Sequence, residues 1–409
     1  MENALDTLQA RGFVQQITHP DVVRQRLGTA QVTFYIGYDP TAHSLHIGNL
    51  LTIMAMVHMQ RAGHRPLVVM GGGTAMVGDP SGRTEMRQML SQDTIAQNAQ
   101  ALRAQLQRYL ALEGDHGAIV VNNADWLLDL KYIDFLRDIG RYFSVNRMLT
   151  FEAYKQRLET GLSFIEFNYQ LLQAYDFLVL FQRYGCVLQM GGDDQWGNMV
   201  AGAELIRRVA NGDAFAMTFP LLTTASGQKM GKTAAGAVWL DAELTSPYEF
   251  YQFWINVDDR DVPRFLKYYT LLPLEEIARL EALQGAELRQ AKETLAFEVT
   301  ALTHGNAAAR AAQNAARALF DGDGALEGVP ETVLPPVRLA TGVPVVDLLV
   351  ETGLVASKSA ARRLIQQGGA SLNGTRLLDL EALVTSADFR DGGLLLRAGK
   401  KHYHRVVVG

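Results

Sequence analysis

The spacing of apolar residues predicts a strand followed by a helix near the start of the chain. In residues 31–38, Val32, Phe34 and Ile36 alternate with other positions, which is typical of a strand. In residues 45–62 the apolar positions follow the period of a helix, and Gly63 ends that pattern. A short polar loop separates the two elements. The pattern therefore predicts a strand–loop–helix unit.

This alternation of strand, turn and helix continues through the first half of the chain. Further strands are expected at 66–70, 118–121 and 186–190, and further helices at 93–110, 128–139 and 164–184. Such alternation is typical of an α/β fold with a doubly wound, Rossmann-like parallel sheet. Ligands of such sheets bind at the carboxyl ends of the strands, so the loops after the strands are where functional residues are expected.

The second half of the chain has a different pattern. Residues 246–320 are rich in helix-forming residues, and prolines and glycines then concentrate in 321–344. The end of the chain predicts a small α+β module. We therefore expect a Rossmann-like catalytic domain at residues 1–240 and a helical domain at 241–322. A linker at 323–340 and a small C-terminal domain at 341–409 are expected to follow.

Composition adds few restrictions to this picture. The 409 residues are 48% hydrophobic and 20% charged, with a net charge of −5, as in ordinary globular proteins. The single cysteine, Cys186, excludes an internal disulfide framework and favours a reducing, cytoplasmic location. No stretch reaches the roughly 18 apolar residues of a membrane span. The N-terminal residues contain no apolar run of the kind a secretory signal needs, and the acidic Glu2 and Asp6 argue against a transit peptide.

Charge is distributed unevenly between the two ends of the chain. Residues 351–409 contain nine Lys or Arg and five Asp or Glu, a net charge of +4, so residues 1–350 carry −9. A basic C-terminal segment on an acidic protein suggests an anionic partner for that segment.

The first candidate site is the loop 39–49, between the first strand and its helix. A helix N-terminus presents free N–H groups and a positive dipole, which suits phosphate. Gly48 allows a ligand close to the backbone, and Thr41 and His46 can donate hydrogen bonds to phosphate oxygens. A capped helix start with incidental histidines is the alternative reading.

The second candidate is Lys229-Met230-Gly231-Lys232-Thr233. Two lysines three residues apart in a glycine-containing loop can close on a polyphosphate and stabilise the charge that develops on departing pyrophosphate. Two lysines in a pentapeptide are a weak signal on their own, and a solvated loop would explain them equally well.

Three further clusters contain polar residues in unusual places. Residues 78–83 form a tight turn with Asp79 and Arg83, and Arg87 follows; a surface turn is the alternative. The helix 164–184 carries a polar stripe at spacings of four and three residues, which helix packing could also explain. Residues 191–196 again follow a strand, with two glycines that could admit an adenine ring. The candidate site residues of the last two clusters are Tyr169, Gln173, Asp176, Asp194 and Gln195.

Together and in this order, the five clusters resemble the bacterial type of tyrosyl-tRNA synthetase, a class I enzyme, over nearly the whole chain. The loop 39–49 is similar to the HIGH motif of that class, with Asn49 in the last position instead of histidine. The lysine pentapeptide is similar to its KMSKS motif, with Gly231 as a departure.

The resemblance implies a role for each matching residue. Tyr35 and Asp176 would bind the phenolic hydroxyl of tyrosine, with Asp79, Tyr169 and Gln173 at its ammonium group and Gln195 near its carboxyl group. The adenosine site would include Gly37, Asp39, Gly48, Asn49, Gly192 and Asp194, together with Lys232. The residues expected to act on the phosphates during catalysis are Thr41, His46, Arg83, Arg87, Lys229, Lys232 and Thr233.

The resemblance also implies substrates and partners. We expect ATP with Mg²⁺ as a substrate, no tightly bound cofactor and no protein metal site, and L-tyrosine, tRNA(Tyr) and a second copy of the chain as partners. Residues 357–367 carry Lys358, Arg362 and Arg363 on one side of an expected helix, followed by a hairpin turn at Asn373-Gly374. This is similar to the S4 RNA-binding domain; a solvated basic helix is the alternative.

Three other functions compete with tyrosine activation. A tryptophan-specific relative would share the fold and mechanism. A non-catalytic RNA-binding protein built on a decayed synthetase would have lost phosphate-handling residues, yet Thr41, His46, Lys229 and Lys232 are all present. A HIGH-type nucleotidyltransferase that makes a small cofactor would need neither the basic C-terminal module nor the polar stripe.

Overall fold

The structure is a computed structural model in which residues 3–82, 90–225, 227, 230, 232–233, 236–321, 329–390, 393–399 and 402–409 are described, with the backbone alone for 232–233 and 319–321. The chain divides into two compact units. The first contains Met1–Leu244 and Val257–Ala291, and the second contains Thr245–Asn256 and Lys292–Gly409. None of the described helices is both long and apolar enough to cross a membrane.

The first unit is built on a six-stranded sheet. Its strands are β1 (Gln16–Ile17), β2 (Thr33–Tyr38), β3 (Arg65–Met70), β4 (Ile119–Asn122), β5 (Cys186–Gly192) and β6 (Phe215–Phe219). Its helices are α1 (Ala4–Ala10), α2 (Pro20–Thr29), α3 (Ile47–Arg61), α4 (Gln92–Leu106), α5 (Ala124–Leu127), α6 (Tyr132–Asp138), α7 (Val145–Met148), α8 (Glu152–Thr160), α9 (Phe164–Tyr184) and α10 (Trp196–Ala210).

The strand order confirms the doubly wound fold. The sheet runs β1-β6-β5-β2-β3-β4, with parallel pairing from β6 to β4 and an antiparallel edge strand β1. Successive connections run from β2 toward β4 and then from β5 toward β6, so the winding direction reverses between β2 and β5. A crevice at such a switch point is the usual ligand site of this fold.

Local sequence explains why the central helix α9 begins and ends where it does. Ser163 caps its N-terminus by accepting from the N–H of Glu166, whose side chain accepts from the N–H of Ser163. Gly185 ends the helix in the left-handed conformation, at φ 63°. The observed bounds, Phe164–Tyr184, match those expected from the sequence.

The remaining elements lie after this sheet. The strands β7 (Lys232–Thr233) and β8 (Gly236–Ala237) pair antiparallel. The helices that follow are α11 (Pro247–Ile255), α12 (Val262–Tyr269), α13 (Leu274–Glu281), α14 (Leu288–His304), α15 (Asn306–Asp321), α16 (Pro336–Ala340), α17 (Val345–Glu351) and α18 (Lys358–Gln366). The last strands are β9 (Glu331–Leu334), β10 (Val343–Pro344), β11 (Ala370–Leu372), β12 (Thr375–Arg376), β13 (Leu383–Val384), β14 (Gly393–Ala398) and β15 (His402–Val408).

The second unit contains a five-stranded sheet, ordered β12-β11-β14-β15-β9. Asn373 and Gly374 have positive φ values of 46° and 81° between β11 and β12, which confirms the expected hairpin turn. Strand β9 pairs with β15, so part of the segment 323–340 that was expected to be a linker belongs to this sheet. The physical reason is that its apolar Leu334 packs into the core of the second unit, a contribution that proline content does not reveal.

Candidate active site

The switch point collects side chains from three neighbouring strands of the first unit. Tyr35 and Gly37 lie in β2 with Asp39 directly after it, while Gly71 follows β3 and Gly192 ends β5. A Cβ added to Gly71 would lie 2.1 Å from Asp39 Oδ1 and 2.6 Å from Thr74 Oγ1, so a larger residue there would displace both side chains. At Gly37 the nearest described atom to an added Cβ is 3.9 Å away, which leaves room for a ligand.

One end of this crevice holds Asp176 of α9. Its carboxylate is 4% exposed and accepts from Asn123 Nδ2 at 2.9 Å and from Trp126 Nε1 at 2.7 Å. The hydroxyl of Tyr35 is buried, and no hydrogen-bond partner for it is found among the described residues. A buried hydroxyl without a partner is costly, by about 1–3 kcal/mol, unless a ligand supplies one.

Burial raises the pKa values of both ionisable groups at this end of the crevice, Asp176 and Tyr35. Burial raises the pKa of Asp176 to about 7, although the hydrogen bonds from Asn123 and Trp126 oppose that rise. Burial and the nearby Asp176 carboxylate raise the pKa of Tyr35 well above its ordinary value. Tyr35 is therefore a neutral hydroxyl with a proton to donate, and Asp176 is an acceptor that titrates near neutral pH.

The other end of the crevice is an amide and carboxylate network. Gln195 Nε2 donates to Asp79 Oδ2 at 2.6 Å, and Asn198 Nδ2 donates to Gln195 Oε1 at 3.3 Å and to Gln173 Oε1 at 3.0 Å. The structure thus joins Asp79, Gln173 and Gln195, which come from three separate regions of the sequence. A carboxylate with amide oxygens suits a substrate ammonium group.

Tyr169 and Asp39 belong to the same region. The hydroxyl of Tyr169 donates to Asp39 Oδ2 at 3.2 Å, and Thr74 Oγ1 donates to Asp39 Oδ1 at 2.8 Å. Both carboxylate oxygens of Asp39 are therefore engaged by neighbours on the amino-acid side of the crevice. Its expected part in binding adenosine stays a prediction.

The N-terminus of α3 carries the residues similar to the HIGH motif. His46 caps the helix: its Nδ1 accepts from the N–H of Gly48 at 3.0 Å, and Asn49 Oδ1 accepts from the N–H of His46 at 3.1 Å. Because Nδ1 accepts, the proton of the neutral ring lies on Nε2 and can be donated. Thr41, expected to act beside His46, is exposed in the preceding loop.

Backbone pairing brings this helix start beside the lysine pentapeptide. The N–H of Ile47 donates to Val238 O at 3.0 Å, and the N–H of Leu240 donates to Leu45 O at 2.8 Å. A Cβ on Gly48 would lie 3.6 Å from the carbonyl oxygen of Met230. The two phosphate candidates, distant in sequence, therefore share one place in the fold.

Several expected site residues receive no side-chain description. Arg83, Arg87 and Lys229 lie outside the described residues, and only the backbone of Lys232 and Thr233 is described. Asp194 is described: a Cβ on Gly192 would lie 2.5 Å from its Oδ1, and one on Gly82 would lie 3.0 Å from its Oδ2. Asp194 thus lies where the loop after β5 meets the loop that contains Asp79.

Sequence reasoning missed four buried polar or aromatic residues that shape the crevice. They contact the expected site residues through hydrogen bonds and follow β3, β4 or β5 in the chain: Thr74, Asn123, Trp126 and Asn198. Asn122-Asn123 directly after a predicted strand was the available signal. Within the described residues, no group of three or more His, Cys, Asp or Glu is arranged to hold a metal ion.

Comparison with known proteins agrees with this geometry. Residues 27–321 match the model of the tRNA synthetases class I (W and Y) family, and residues 323–406 match the Tyrosine–tRNA ligase SYY-like C-terminal domain. The fold and the crevice therefore define a class I tRNA synthetase.

Individual relatives show which amino acid the matching enzymes of this class use. A tyrosine–tRNA ligase of Clostridium botulinum is 54% identical and one of Acetivibrio thermocellus is 52% identical, each over 100% of both chains.

A solved structure shows the same likeness. A C-terminally truncated mitochondrial tyrosyl-tRNA synthetase of Aspergillus nidulans is 30% identical, with a TM-score of 0.71, and the match covers 78% of this chain and 95% of that one. The chain belongs to the tyrosine–tRNA ligase family.

Proposed function

We propose that this protein joins L-tyrosine to tRNA(Tyr) in two steps. The tyrosine carboxylate first attacks the α-phosphorus of ATP, which forms tyrosyl-adenylate and releases pyrophosphate. A ribose hydroxyl at the 3′ end of the tRNA then attacks the tyrosyl carbonyl, and AMP leaves. The observation that carries this proposal is the buried pair of Tyr35 and Asp176, a hydroxyl without a described partner beside a carboxylate.

That pair matches a para-hydroxyl group. The substrate phenol donates to Asp176 and accepts from Tyr35, whose proton is otherwise unused. Phenylalanine leaves the Tyr35 hydroxyl unpaired, which costs about 1–3 kcal/mol, and it gives Asp176 no donor beyond Asn123 and Trp126. Tyrosine-specific synthetases are themselves the known example of discrimination by this means. No separate editing site is then required.

The ammonium and carboxyl groups bind at the opposite end of the crevice. The ammonium donates to Asp79, Tyr169 and Gln173, and Gln195 lies near the carboxyl group. Support comes from the network through Asn198, which holds Gln173 and Gln195 together. Fixing both ends of tyrosine places its carboxylate for attack, and such orientation contributes a large share of the rate in two-substrate reactions.

Activation needs no general base, because the tyrosine carboxylate is already a nucleophile. The protein accelerates the reaction by stabilising charge on the phosphates. His46 and Thr41 donate to the γ-phosphate, while Lys229, Lys232, Thr233, Arg83 and Arg87 hold pyrophosphate as it leaves. Gly37, Gly48, Asn49, Gly192 and Asp194 line the adenosine site, and Mg²⁺ enters with the ATP phosphates.

The C-terminal module binds the tRNA. Arg362 and Arg363 are exposed on α18, and Lys358 pairs with Asp347 at 2.7 Å. A basic helix beside a hairpin suits phosphates of structured RNA, which proteins recognise largely by shape.

The working form is a cytoplasmic homodimer. Phe164 is 69% exposed at the start of α9, Ile133 is 71% exposed in α6, and Tyr132 is 58% exposed. Large exposed apolar side chains of this kind favour an interface with a second copy. The fully buried thiol of Cys186 is compatible with a reducing compartment.

Amino-acid-dependent ATP–pyrophosphate exchange with all twenty amino acids tests the function. We expect exchange with tyrosine alone. Exchange with tryptophan would keep the mechanism but overturn the proposed side-chain pocket. If no amino acid supports exchange, the RNA-binding and cofactor-transferase alternatives replace this proposal.

A further inference from the structure

The helix α4 buries two amide side chains that have no role in the proposed reaction so far. Its N-terminus is capped by Ser91, whose side chain accepts from the N–H of Thr94. Asn98 is 7% exposed and Gln105 is 3% exposed. Their spacing of seven residues is about two helical turns, so both amides lie on one face of the helix. Because buried amides are costly unless they are hydrogen-bonded, their partners indicate their purpose.

Both amides bind the backbone of the loop 39–49. Asn98 Nδ2 donates to Pro40 O at 3.0 Å, and Gln105 Oε1 accepts from the N–H of Leu45 at 3.0 Å. One amide therefore holds the start of the loop, and the other holds the end that leads into α3. Since the bound groups belong to the backbone, these contacts fix the path of the chain itself.

The two contacts lie next to the residues assigned to the γ-phosphate. Thr41 directly follows Pro40, and His46 directly follows Leu45. A shift of either backbone position moves the adjacent side chain with it. Displacements of about 1 Å are enough to reduce the rate of a reaction that depends on aligned groups.

Gln105 also reaches the segment that follows the lysine pentapeptide. Because its Oε1 accepts from Leu45, its Nε2 is directed at Ser44 Oγ, 3.1 Å away, and at Asp241 Oδ2, 3.4 Å away. Asp241 directly follows Leu240, whose N–H donates to Leu45 O at 2.8 Å. One side chain of α4 therefore contacts both the loop 39–49 and the chain that continues from the lysine pentapeptide.

We propose that Asn98 and Gln105 are positioning residues for the activation step, and that α4 sets the distance of Thr41 and His46 from the γ-phosphate of ATP. This inference rests on the proposed function and extends it, because it assigns part of the transition-state stabilisation to two side chains that bind the loop backbone instead of a substrate. The proposed tyrosine contacts come largely from β2 and α9. Loss of either amide should therefore affect the phosphates and not tyrosine binding.

The test is Gln105→Met, which removes the amide and keeps the length of the side chain. In pyrophosphate exchange we expect kcat to fall about tenfold, because contacts to the γ-phosphate in the transition state become weaker. The KM for tyrosine should change less than about twofold. Asn98→Leu should have the same effect. Gln100→Met is the matched control, since Gln100 is exposed on the same helix, and it should leave both constants unchanged.

Double variants identify the residue through which each amide acts. We expect Gln105→Met to lower kcat about tenfold in the unmodified protein and less than about twofold in the His46→Ala background, because the contribution that it positions is then absent. Asn98→Leu should behave in the same way in the Thr41→Ala background. A general weakening of the structure would instead lower kcat equally in both backgrounds.

Three results would overturn the proposal: wild-type kcat in both amide variants, a rise in the KM for tyrosine as large as the fall in kcat, or strictly additive losses in both double variants. If Gln105→Met does not fold, Gln105→Glu removes the donor to Ser44 and Asp241 and is measured in the same way. Exchange by the unmodified protein separates the two proposals, because absence of tyrosine-dependent exchange there rejects the function itself.

Discussion

The environment of Asp176 changes the pH at which its carboxyl group ionises. An aspartate is ordinarily ionised at neutral pH, with a pKa of about 3.9. Here burial raises its pKa to about 7, against the opposing hydrogen bonds from Asn123 and Trp126. In the proposed reaction this carboxylate must be ionised to accept from the substrate phenol. Recognition of tyrosine is therefore coupled to pH in the neutral range.

We expect kcat/KM for tyrosine to fall as the pH decreases below about 7, approaching about tenfold per pH unit, because Asp176 becomes protonated. Phenylalanine makes no hydrogen bond to Asp176, so its kcat/KM should depend less on pH. Pyrophosphate exchange rates for both amino acids, measured between about pH 5.5 and 8.5, give the pH dependence of each kcat/KM. Protein stability sets the limits of that pH range. A tyrosine to phenylalanine ratio that stays constant over the range would contradict the proposed role of Asp176.

The same shift affects folding in a defined direction. Because the folded-state pKa of Asp176 lies above the unfolded value, the folded protein holds a proton between about pH 4 and 7 that the unfolded chain has lost. The contribution of Asp176 to the free energy of unfolding therefore decreases as the pH rises through that window, and it is constant above the window. Tight tyrosine binding and this contribution to stability favour opposite protonation states.

At the scale of elements, α9 depends on a buried ion pair for its position. Arg157 of α8 and Glu166 of α9 have side chains 3% and 2% exposed, and Arg157 Nη2 contacts both carboxylate oxygens at 2.8 Å. Burial opposes ionisation of Glu166, but the hydrogen bonds from Ser163 and the Arg157 guanidinium together lower its pKa. This pair holds the start of the helix that carries Tyr169, Gln173 and Asp176.

We expect Arg157→Met to lower the free energy of unfolding by about 3–5 kcal/mol, because it leaves a buried carboxylate without its cation. Urea denaturation measures the change. Lys155→Met is the matched control: Lys155 is 57% exposed, and its ion pair with Glu152 should contribute at most about 1 kcal/mol. Equal effects of the two substitutions would show that the buried pair has no special importance.

Four of the six strands and the long helices α3, α4 and α9 of the first unit could be predicted from sequence, because one period of apolar residues dominates each of them. The expected helix 128–139 is instead divided into the short helices α5 and α6, and the apolar pattern did not predict β1, β6, α1, α2, α7, α8 or α10. The bounds of α9, the strand β3 and the hairpin at Asn373-Gly374 agree with expectation within a residue. The segment 323–340 was harder to interpret. Its prolines suggest a linker, while pairing of β9 with β15 depends on a strand near the end of the chain. Local composition carries no information about such a distant partner.

At the scale of the whole molecule, the proposed activity is divided between tyrosine activation and tRNA recognition. Reversing charge on α18 separates the two. We expect Arg362→Glu with Arg363→Glu to reduce tRNA tyrosylation at least about tenfold, since phosphate contacts become repulsive. Pyrophosphate exchange should remain unchanged. Arg279→Glu, which alters an exposed arginine of α13, is the control for a nonspecific effect of charge. Full tRNA charging by the double variant would refute the role of α18.

The proposed dimer gives a further prediction at this scale. Phe164→Asp should convert the dimer to a monomer in analytical ultracentrifugation, because it places a charge in an apolar interface. Val337→Asp, at another exposed apolar residue (75% exposed), should leave the assembly unchanged. A Phe164→Asp protein that remains dimeric would remove this surface from the interface.

The sequence by itself determined the fold class, the family and the identity of most candidate site residues. Strand and helix periods are local, and motifs such as 39–49 and 229–233 are read from adjacent positions. Only the tertiary structure brought Gly48 beside Met230, joined Asp79 to Gln195 and Asn198, and placed Asn123 between Asp176 and Thr74. Those contacts depend on which strands are neighbours in the sheet and on where each strand ends. The order of residues along the chain does not specify either of these.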